Sequence, residues 1–237
     1  MTESTPAVRH EVAFLLRRFA ATTVFERRTA VRGIATAARR SPSGSAEQEA
    51  IAHALVCAAQ DADVRVRLGA VRGLARLTPQ PAAATVAPLI LDDDYTVREA
   101  AVRTLVELDS SHAVPMLVAA SRDARVPVRC AALIGLRKIR EVDTSVLEAL
   151  VAGLSDPDPS VQGAAMASLR TLARRSAHLA ATITELGRQG LTADSSYRRE
   201  ISLELLRRLA VPGHRERCRS ALRDPAPNVR RRAERSR

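Results

Sequence analysis

Apolar residues recur at helical spacing along the chain, and the stretch from Asp61 to Leu74 shows the pattern most clearly. Two Asp residues precede an apolar stripe that includes Val66, Ala70 and Val71. Spacings of three and four residues place these side chains on one face of an α-helix. An Asp just ahead of the first turn can cap the free backbone N–H groups there. The stretch therefore predicts a short loop followed by an amphipathic helix.

This context recurs along the whole chain, anchored at positions 27, 67, 98, 129, 162, 198 and 230. A second apolar run lies between successive anchors, so each unit predicts a helical hairpin of helix A, loop and helix B. Neither helix can bury its apolar face alone, and neighbouring hairpins must stack. We therefore predict one all-α domain over residues 1–237, an α-solenoid of about seven hairpins. The predicted repeats are 7–40, 45–77, 79–108, 111–140, 143–175, 177–210 and 213–237.

The motif DxxVRxxAVxxL, which begins at Asp94, and its copies resemble HEAT repeats, especially the short phycobilisome-lyase-like (EZ-type) form. The resemblance covers essentially the whole chain. It implies a right-handed HEAT/armadillo-like superhelix whose B helices line the concave face, with Asp and Arg hydrogen-bonded within and between repeats. The pairs that keep this pattern are Asp63–Arg67, Asp94–Arg98 and Asp194–Arg198. Gln162 and Arg125 depart from it.

Two further features of the pattern predict local geometry. Small residues stand two and six positions after the anchor in the first five repeats, among them Gly69 and Gly73. A glycine inside a helix costs about 1 kcal/mol relative to alanine, so its repeated use predicts close approach of adjacent B helices. Pro88 falls inside the third helix A and predicts a kinked or shortened helix.

Composition and charge narrow the function classes. Hydrophobic residues make up 46% of the chain but aromatic residues only 2%, so the core is expected to consist of Ala, Leu and Val. The net charge is +11, and residues 188–237 hold 14 Arg against 6 acidic residues. Basic chains are candidates for nucleic acid, membrane surfaces or acidic partners. No segment reaches the roughly 18 apolar residues of a membrane span, and Arg17 interrupts the first apolar run, so we predict no membrane association.

No residue set predicts catalysis. Cys57, Cys130 and Cys218 form no CxxC pattern, and we expect free, buried thiols in a reducing cytoplasm. The Asp clusters stand where helix caps belong, which favours capping over metal binding. Nucleotide-binding and nucleophile motifs are absent from the sequence. We predict no catalytic residue, no cofactor and no metal site.

The face of helix B opposite the core is mostly basic. Positions one, five and nine residues after each anchor point away from the apolar stripe. Cys130 and Ile134 interrupt the charge there, between Arg103 and Lys138 in the sequence. The predicted partner-binding residues are Arg28, Arg32, Arg72, Arg76, Arg103, Cys130, Ile134, Lys138, Arg199 and Arg207.

The sequence favours a cytoplasmic, monomeric, non-enzymatic scaffold or adaptor that binds a protein on the basic face of its B helices. One alternative is a nucleic-acid-binding solenoid that uses the Arg stripe and the Arg-rich C-terminus. A lesser alternative is a lyase-like or chaperone-like subunit that acts on a partner protein. The scarcity of aromatic side chains favours a protein ligand, because base stacking needs them.

Overall fold

The fold is an all-α solenoid, as the repeat pattern predicts. The computed structural model describes residues 6–20, 23–42, 44–77, 79–108 and 110–235, and residues 236–237 of the last predicted repeat lie outside this part. The helices in the described residues are α1 (Pro6–Phe19), α2 (Val24–Ala37), α3 (Ala46–Ala58), α4 (Val64–Leu74), α5 (Pro79–Val86), a 3₁₀ helix (Ala87–Leu91), α6 (Tyr95–Leu108), α7 (Ser110–Ala120), α8 (Val126–Leu136), α9 (Thr144–Gly153), α10 (Pro159–Ala173), α11 (Ala177–Gly190), α12 (Ser196–Arg208), α13 (His214–Ala221) and α14 (Pro227–Arg235).

Short polar side chains begin most of these helices. Asp63 accepts hydrogen bonds from the backbone N–H groups of Arg65 and Val66 at the start of α4. The same kind of cap is provided by Thr23, Ser45, Asp143, Asp158, Ser176 and Ser195. Each cap satisfies a backbone donor that the first helical turn leaves without a partner. The capping role predicted for the Asp residues ahead of α4 and α10 is confirmed.

The chain divides into two units, and residues 1–120 form unit 1. There α2 packs on α4, and α4 packs on α6, so helices B form one layer. In the other layer α1 packs on α3, and α3 packs on α5. Between the layers lie aliphatic side chains with almost no exposure, among them Ile34, Leu55, Leu74 and Leu105.

Unit 2 comprises residues 121–237. Helix α10 packs against α8, α9 and α11, and α12 packs against α11, α13 and α14. Leu133, Leu150 and Leu169 are fully buried. The last helix, α14, buries only Val229 and Ala233, so most of its surface is polar.

Glycine and proline act as the sequence predicts. A Cβ on Gly69 would lie 2.6 Å from a methyl of Val31 on the neighbouring B helix. A Cβ on Gly73 would lie 2.6 Å from Leu55 and 3.2 Å from the Cβ of Ala35. The predicted close approach of adjacent B helices is therefore confirmed for α2 and α4. At Pro88 the α-helix has already ended, and the chain continues as the 3₁₀ helix.

Candidate protein-interaction surface

Five arginines in or just after the second halves of the B helices α2, α4 and α6 are exposed and pair with no carboxylate of the described residues. Arg32 and Arg39 lie on and just after α2, Arg72 and Arg76 on and just after α4, and Arg103 on α6. None of the five pairs with a carboxylate in the described part of the chain. Glu99 and Glu107 stand four residues to either side of Arg103 but form no ion pair with it. We call these five residues the unit 1 basic surface.

The charges at the ends of α2 and α4 are close enough to affect one another. Arg76 donates from Nη1 to the carbonyl oxygen of Arg72 at 2.9 Å and to that of Ala35 at 3.3 Å. Burial, and then the positive charges of Arg39 and Arg72, lower the pKa of Arg76 below its ordinary value. The sequence analysis did not predict Arg39, because this residue follows the last turn of α2 and lies beyond the positions one, five and nine residues after the anchor at 27. The result is a concentration of positive charge that the protein itself does not neutralise.

Arg28 differs from the other predicted partner-binding residues because it is already paired. Its Nε lies 2.8 Å from Oδ1 of Asp63, and its Nη2 contacts the other carboxylate oxygen. Hydrogen bonding from Arg28 holds the pKa of Asp63 at about 2, although burial opposes the shift. Asp63 thus caps α4 and joins it to α2. Arg28 therefore lies at the interface between the first two repeats and not on the exposed face predicted for it.

A repeated arrangement, here called the Arg–Asp ladder, joins successive repeats. Nε of Arg67 donates to Asp92 at 2.8 Å and Nη2 at 3.0 Å, while Nη1 donates to the carbonyl oxygens of Asp61 and Ala62. The other bidentate pairs of the ladder are Arg27–Asp61, Arg129–Asp156 and Arg199–Asp224. Because Nη1 holds the arginine's own loop, the Nε–Nη2 edge is left for the next repeat.

The ladder corrects the predicted pairs Asp63–Arg67 and Asp94–Arg98. Asp63 binds Arg28, and Asp94 caps α6 through the N–H groups of Thr96 and Val97. Arg98 is almost fully buried; its Nη1 donates to the carbonyl oxygens of Asp92 and Asp93. Nε of Arg98 has no hydrogen-bond partner in the described part of the chain. In the second repeat the capping Asp63 therefore binds the preceding repeat and Arg67 the following one, whereas Asp94 and Arg98 of the third repeat bond only within their own repeat in the described residues.

The sequence analysis did not predict the Asp residues that accept hydrogen bonds from the ladder arginines, although the sequence carries a signal for them. An Asp stands six residues before the ladder position at Asp61, Asp92, Asp123, Asp156 and Asp224. The Oδ1 atom of each accepts a hydrogen bond from the backbone N–H two residues later, which shapes the loop. Burial alone would raise the pKa of Asp156, but hydrogen bonds from Arg129 and from the Asp158 backbone lower it below its ordinary value.

In the sixth repeat the predicted anchor is wrong by one residue. Ser195 caps α12, so Arg199 stands in the ladder position and donates to the carbonyl oxygens of Ala193 and Asp194. The predicted pair Asp194–Arg198 does not form. Both side chains are exposed, and no ion pair joins them. The shift also withdraws Arg199 from the predicted binding face.

Arg207 is likewise occupied. It donates to both carboxylate oxygens of Glu204, at 2.8 and 2.7 Å, and Arg208 binds the same carboxylate. Burial opposes ionisation of Glu204, but hydrogen bonds from Arg207 and Arg208 hold its pKa at about 2. More than two fifths of the Arg207 side chain remains exposed, so it contributes a partly neutralised charge to the surface.

The predicted apolar interruption lies in unit 2 on α8 and α10. Cys130 and Ile134 are half-buried, Gly163 and Ala167 are exposed, and a Cβ on Gly163 would meet nothing within 4 Å. Burial raises the pKa of the Cys130 thiol. Lys138, just past the end of α8, is exposed and has no ionic partner in the described residues. We call Cys130, Ile134, Gly163 and Ala167 the unit 2 apolar patch.

The remaining candidate chemistry is dispersed. Cys57 is exposed, which corrects its predicted burial, whereas Cys218 is buried with Sγ 3.3 Å from Nε2 of His214. The described residues contain no group of three or more His, Cys, Asp or Glu side chains that could hold a metal. In the described part, no helix combines the length and hydrophobicity needed to cross a membrane.

A cleft of about 560 Å³ in unit 2 lies between α12, α13 and α14. Arg199 and Asp224, which line it, are bound to each other. Arg217, also in the lining, donates to the carbonyl oxygens of Val211 and Pro212, while its buried Nε has no partner in the described residues. The polar groups of this cleft serve mainly to hold its own walls together.

Comparison with known proteins agrees with the fold. Residues 51–137 match the family model described as HEAT repeats. No curated protein matches the chain. Among solved structures, Kap121p, as a D353K/E396K/D438K mutant, superposes with a TM-score of 0.65 at 14% identity over 98% of this chain and 29% of that protein.

Yeast importin-β, Kap95p, is similar in the same way. The structure describing its effect on the switch loops of RanGDP gives a TM-score of 0.63 at 15% identity, covering 95% of this chain and 35% of that protein. Another Kap95p structure gives 0.56 at 15% identity, covering 96% and 35%. The chain spans about a third of the length of these proteins, and identity this low shows the fold alone. Together the repeats and their packing show that the chain is an all-α solenoid, and residues 51–137 of it are similar to HEAT repeats.

Proposed function

We propose that the chain is a non-enzymatic scaffold that binds a protein through the unit 1 basic surface. The observation that carries the proposal is a set of exposed arginines, Arg32, Arg39, Arg72, Arg76 and Arg103, that no carboxylate of the described chain neutralises. Charged patches of one sign steer a partner of opposite sign and select against others. The partner we propose therefore presents acidic side chains.

The packing beneath this surface supports a rigid platform. Gly69 and Gly73 let α4 approach α2 closely, and this fixes the spacing of the arginines on the two helices. Residues 51–137 match HEAT repeats, and the importin-like solenoids of the same fold include Kap95p in complexes with RanGDP and Nup1. Protein binding by those molecules supports the class of function and leaves the identity of this chain's partner open. We retain the phycobilisome-lyase-like subtype as part of the proposal.

Within unit 2, the apolar patch is a separate proposed contact surface for a protein. In protein interfaces a few buried contacts carry most of the affinity, while rim charges mainly affect association. Ile134 is the largest side chain of the patch and is half-buried, so it retains surface for a partner. We expect Ile134→Asp to weaken binding at this patch more than the loss of one rim charge such as Lys138.

Nucleic acid is the second candidate, since arginines without carboxylate partners also bind phosphate. Exposed aromatic residues do occur in unit 1, where Phe14 is 58%, Phe25 74% and Tyr95 63% exposed. Phe14 lies on α1 beneath the guanidinium of Arg18. Phe25 and Tyr95 stand in the first turns of α2 and α6, whereas Arg39 and Arg76 follow the last turns of α2 and α4. This separation along the helices favours a protein ligand, because single-strand recognition alternates stacking and charge.

The test is affinity capture from a nuclease-treated lysate, followed by direct binding of the purified captured protein. We expect the triple variant Arg72→Glu, Arg76→Glu and Arg103→Glu to abolish binding. The matched control is Arg122→Glu, Arg140→Glu and Arg174→Glu, which makes the same change in net charge at exposed unit 2 arginines. Equal loss in both variants would show that only net charge matters and would refute the proposed surface. Binding only to duplex DNA, with steep salt dependence, would favour the second candidate.

A further inference from the structure

The interior repeats show how the Arg–Asp ladder binds a carboxylate. Arg129 donates from Nη1 to the carbonyl oxygens of Asp123 and Ala124, both at 2.9 Å. Its Nε and Nη2 donate to the two oxygens of Asp156 at 2.8 and 2.9 Å. Arg199 is held in the same way and binds Asp224. The guanidinium is thus fixed by its own loop, and its other edge binds an Asp from the loop of the next repeat.

Arg230, on α14, has the first half of this arrangement but lacks the second. Its Nη1 donates to the carbonyl oxygens of Asp224 and Pro225, each at 2.7 Å. Its Nε and Nη2 contact no carboxylate in the described part of the chain. The side chain is half-buried, so its guanidinium is already positioned. An arginine fork held in place loses little conformational freedom on binding, which favours bidentate recognition of a carboxylate.

The surroundings of Arg230 carry the charge that a carboxylate requires. Arg231 and Arg235 lie exposed on the same helix, and Arg223 precedes it in the loop. None of these three pairs with a carboxylate among the described residues. The acidic side chains Glu200 and Glu204 face Arg232 instead, on the side of α14 that packs on α12. Glu234 is also exposed on α14, so the outer side of this helix, with Arg231 and Arg235 against Glu234, presents net positive charge.

We propose that the Nε–Nη2 edge of Arg230 is a docking site for an aspartate side chain of a partner protein. Four ladder arginines, Arg27, Arg67, Arg129 and Arg199, bind an Asp of the next loop through this edge. The exception is the buried Arg98, whose Nε has no partner in the described residues. The first repeat of a second copy is a poor fit, because Ala21 stands six residues before Arg27, where all later repeats except the sixth have Asp. The site lies on α14 and does not depend on the unit 1 basic surface.

The test uses the full chain and an acidic peptide as the probe. The peptide has the sequence of residues 89–100, LILDDDYTVREA, with both ends blocked, so it carries the loop whose Asp92 binds Arg67. Arginine Nε–Hε signals are followed by NMR during the titration and assigned by substitution. We expect the Arg230 signal to move, while Arg231 and Arg235 move much less. A peptide with Asn at its three Asp positions should leave the Arg230 signal in place.

Two variants separate the fork from simple charge. Arg230→Lys keeps the charge but removes the fork, and it should weaken the peptide about tenfold. Arg231→Lys is the matched control on the adjacent residue and should change the affinity less than about twofold. The wild-type NMR titration is decisive even if the Arg230→Lys variant folds poorly.

Three results would overturn the proposal. Equal movement of all exposed arginine signals would mean that only diffuse charge binds the peptide. No movement at Arg230 would leave it as a loop-holding residue alone. Stronger binding of a duplex oligonucleotide at Arg230 than of the peptide would assign the site to phosphate instead.

Discussion

The Arg67–Asp92 pair offers the sharpest test of what holds the repeats together. The two side chains are 17% and 6% exposed and make two hydrogen bonds, at 2.8 and 3.0 Å. Asp92→Asn removes the charge but retains an oxygen for the backbone N–H of Asp94. Hydrogen bonds to charged groups contribute about 1.5–3 kcal/mol, and breaking a buried pair costs about 3–5 kcal/mol. Because Arg67 keeps its bonds to two loop carbonyls, we expect a loss of about 2–3 kcal/mol.

The measurement is urea unfolding followed by circular dichroism, with hydrogen exchange to locate the change in α4 and α6. Asp194→Asn is the control, since this exposed loop carboxylate has no ion pair and its loss should cost less than about 0.5 kcal/mol. The double variant Arg67→Gln with Asp92→Ala copies the Gln162 and Ala193 combination that the chain itself uses. We expect it to lose less than the sum of its single variants. Equal midpoints for Asp92→Asn and Asp194→Asn would refute the role we assign to the ladder.

Two other predictions concern packing and pH. Gly73→Ala should lower the free energy of unfolding, measured by heat or urea, by about 1–3 kcal/mol, because the new Cβ would meet Leu55 and Ala35. In the control Gly163→Ala the new Cβ meets nothing, so this variant should raise the free energy of unfolding by up to about 1 kcal/mol. Equal effects of the two variants would contradict the observed close approach. The pKa of Asp63 is held at about 2, below its value in the unfolded chain, so its contribution to stability should be present above about pH 4 and lost as the pH falls toward 2. Asp63→Asn should therefore make the free energy of unfolding less dependent on pH in that window. An unchanged pH profile would count against the Arg28–Asp63 pair.

Helix periodicity, caps and breakers could be predicted from the sequence because they are local. The apolar stripe of α4, the Asp63 cap and the end of α5 before Pro88 all follow from spacing within one repeat. The partner of Arg67 could not be predicted in this way. An arginine can reach either the Asp four residues earlier or one 25 residues later, and the packing of the repeats decides between them.

The error in the sixth repeat has the same origin. Tyr197-Arg198 imitates the Val-Arg pair of the other repeats, and Ala193 removes the Asp that would have marked the correct register. The capping bond from the Arg198 backbone to Ser195 and the bonds from Arg199 to the carbonyl oxygens of Ala193 and Asp194 show that α12 starts one residue later. On the predicted partner-binding face, Arg199 is therefore bound to Asp224 in the ladder, and the charge of Arg207 is partly neutralised by Glu204.

The fifth repeat shows that the ladder is a pairwise interaction between neighbouring repeats. Gln162 stands in the ladder position, and Ala193 stands where the next repeat would supply Asp. Nε2 of Gln162 donates to the carbonyl oxygen of Asp156 and contacts the hydroxyl of Tyr197, which itself donates to that carbonyl oxygen. The ladder arginine and the Asp that would accept from it are thus both absent here, and hydrogen bonds between the uncharged side chains of Gln162 and Tyr197 and a backbone carbonyl take their place.

This coupling bears on the origin of the net charge. Four arginines in the ladder position are neutralised by an Asp, so the pairs Arg27–Asp61, Arg67–Asp92, Arg129–Asp156 and Arg199–Asp224 add nothing to the total of +11. The excess must lie on arginines outside the ladder, and the unit 1 basic surface and the outer side of α14 hold several of them. None of these arginines forms an ion pair between repeats in the described residues, although Arg76 donates to the carbonyl oxygen of Ala35 in the preceding repeat. A partner that supplies carboxylates at either place would therefore bind without competing with the ion pairs that join the repeats.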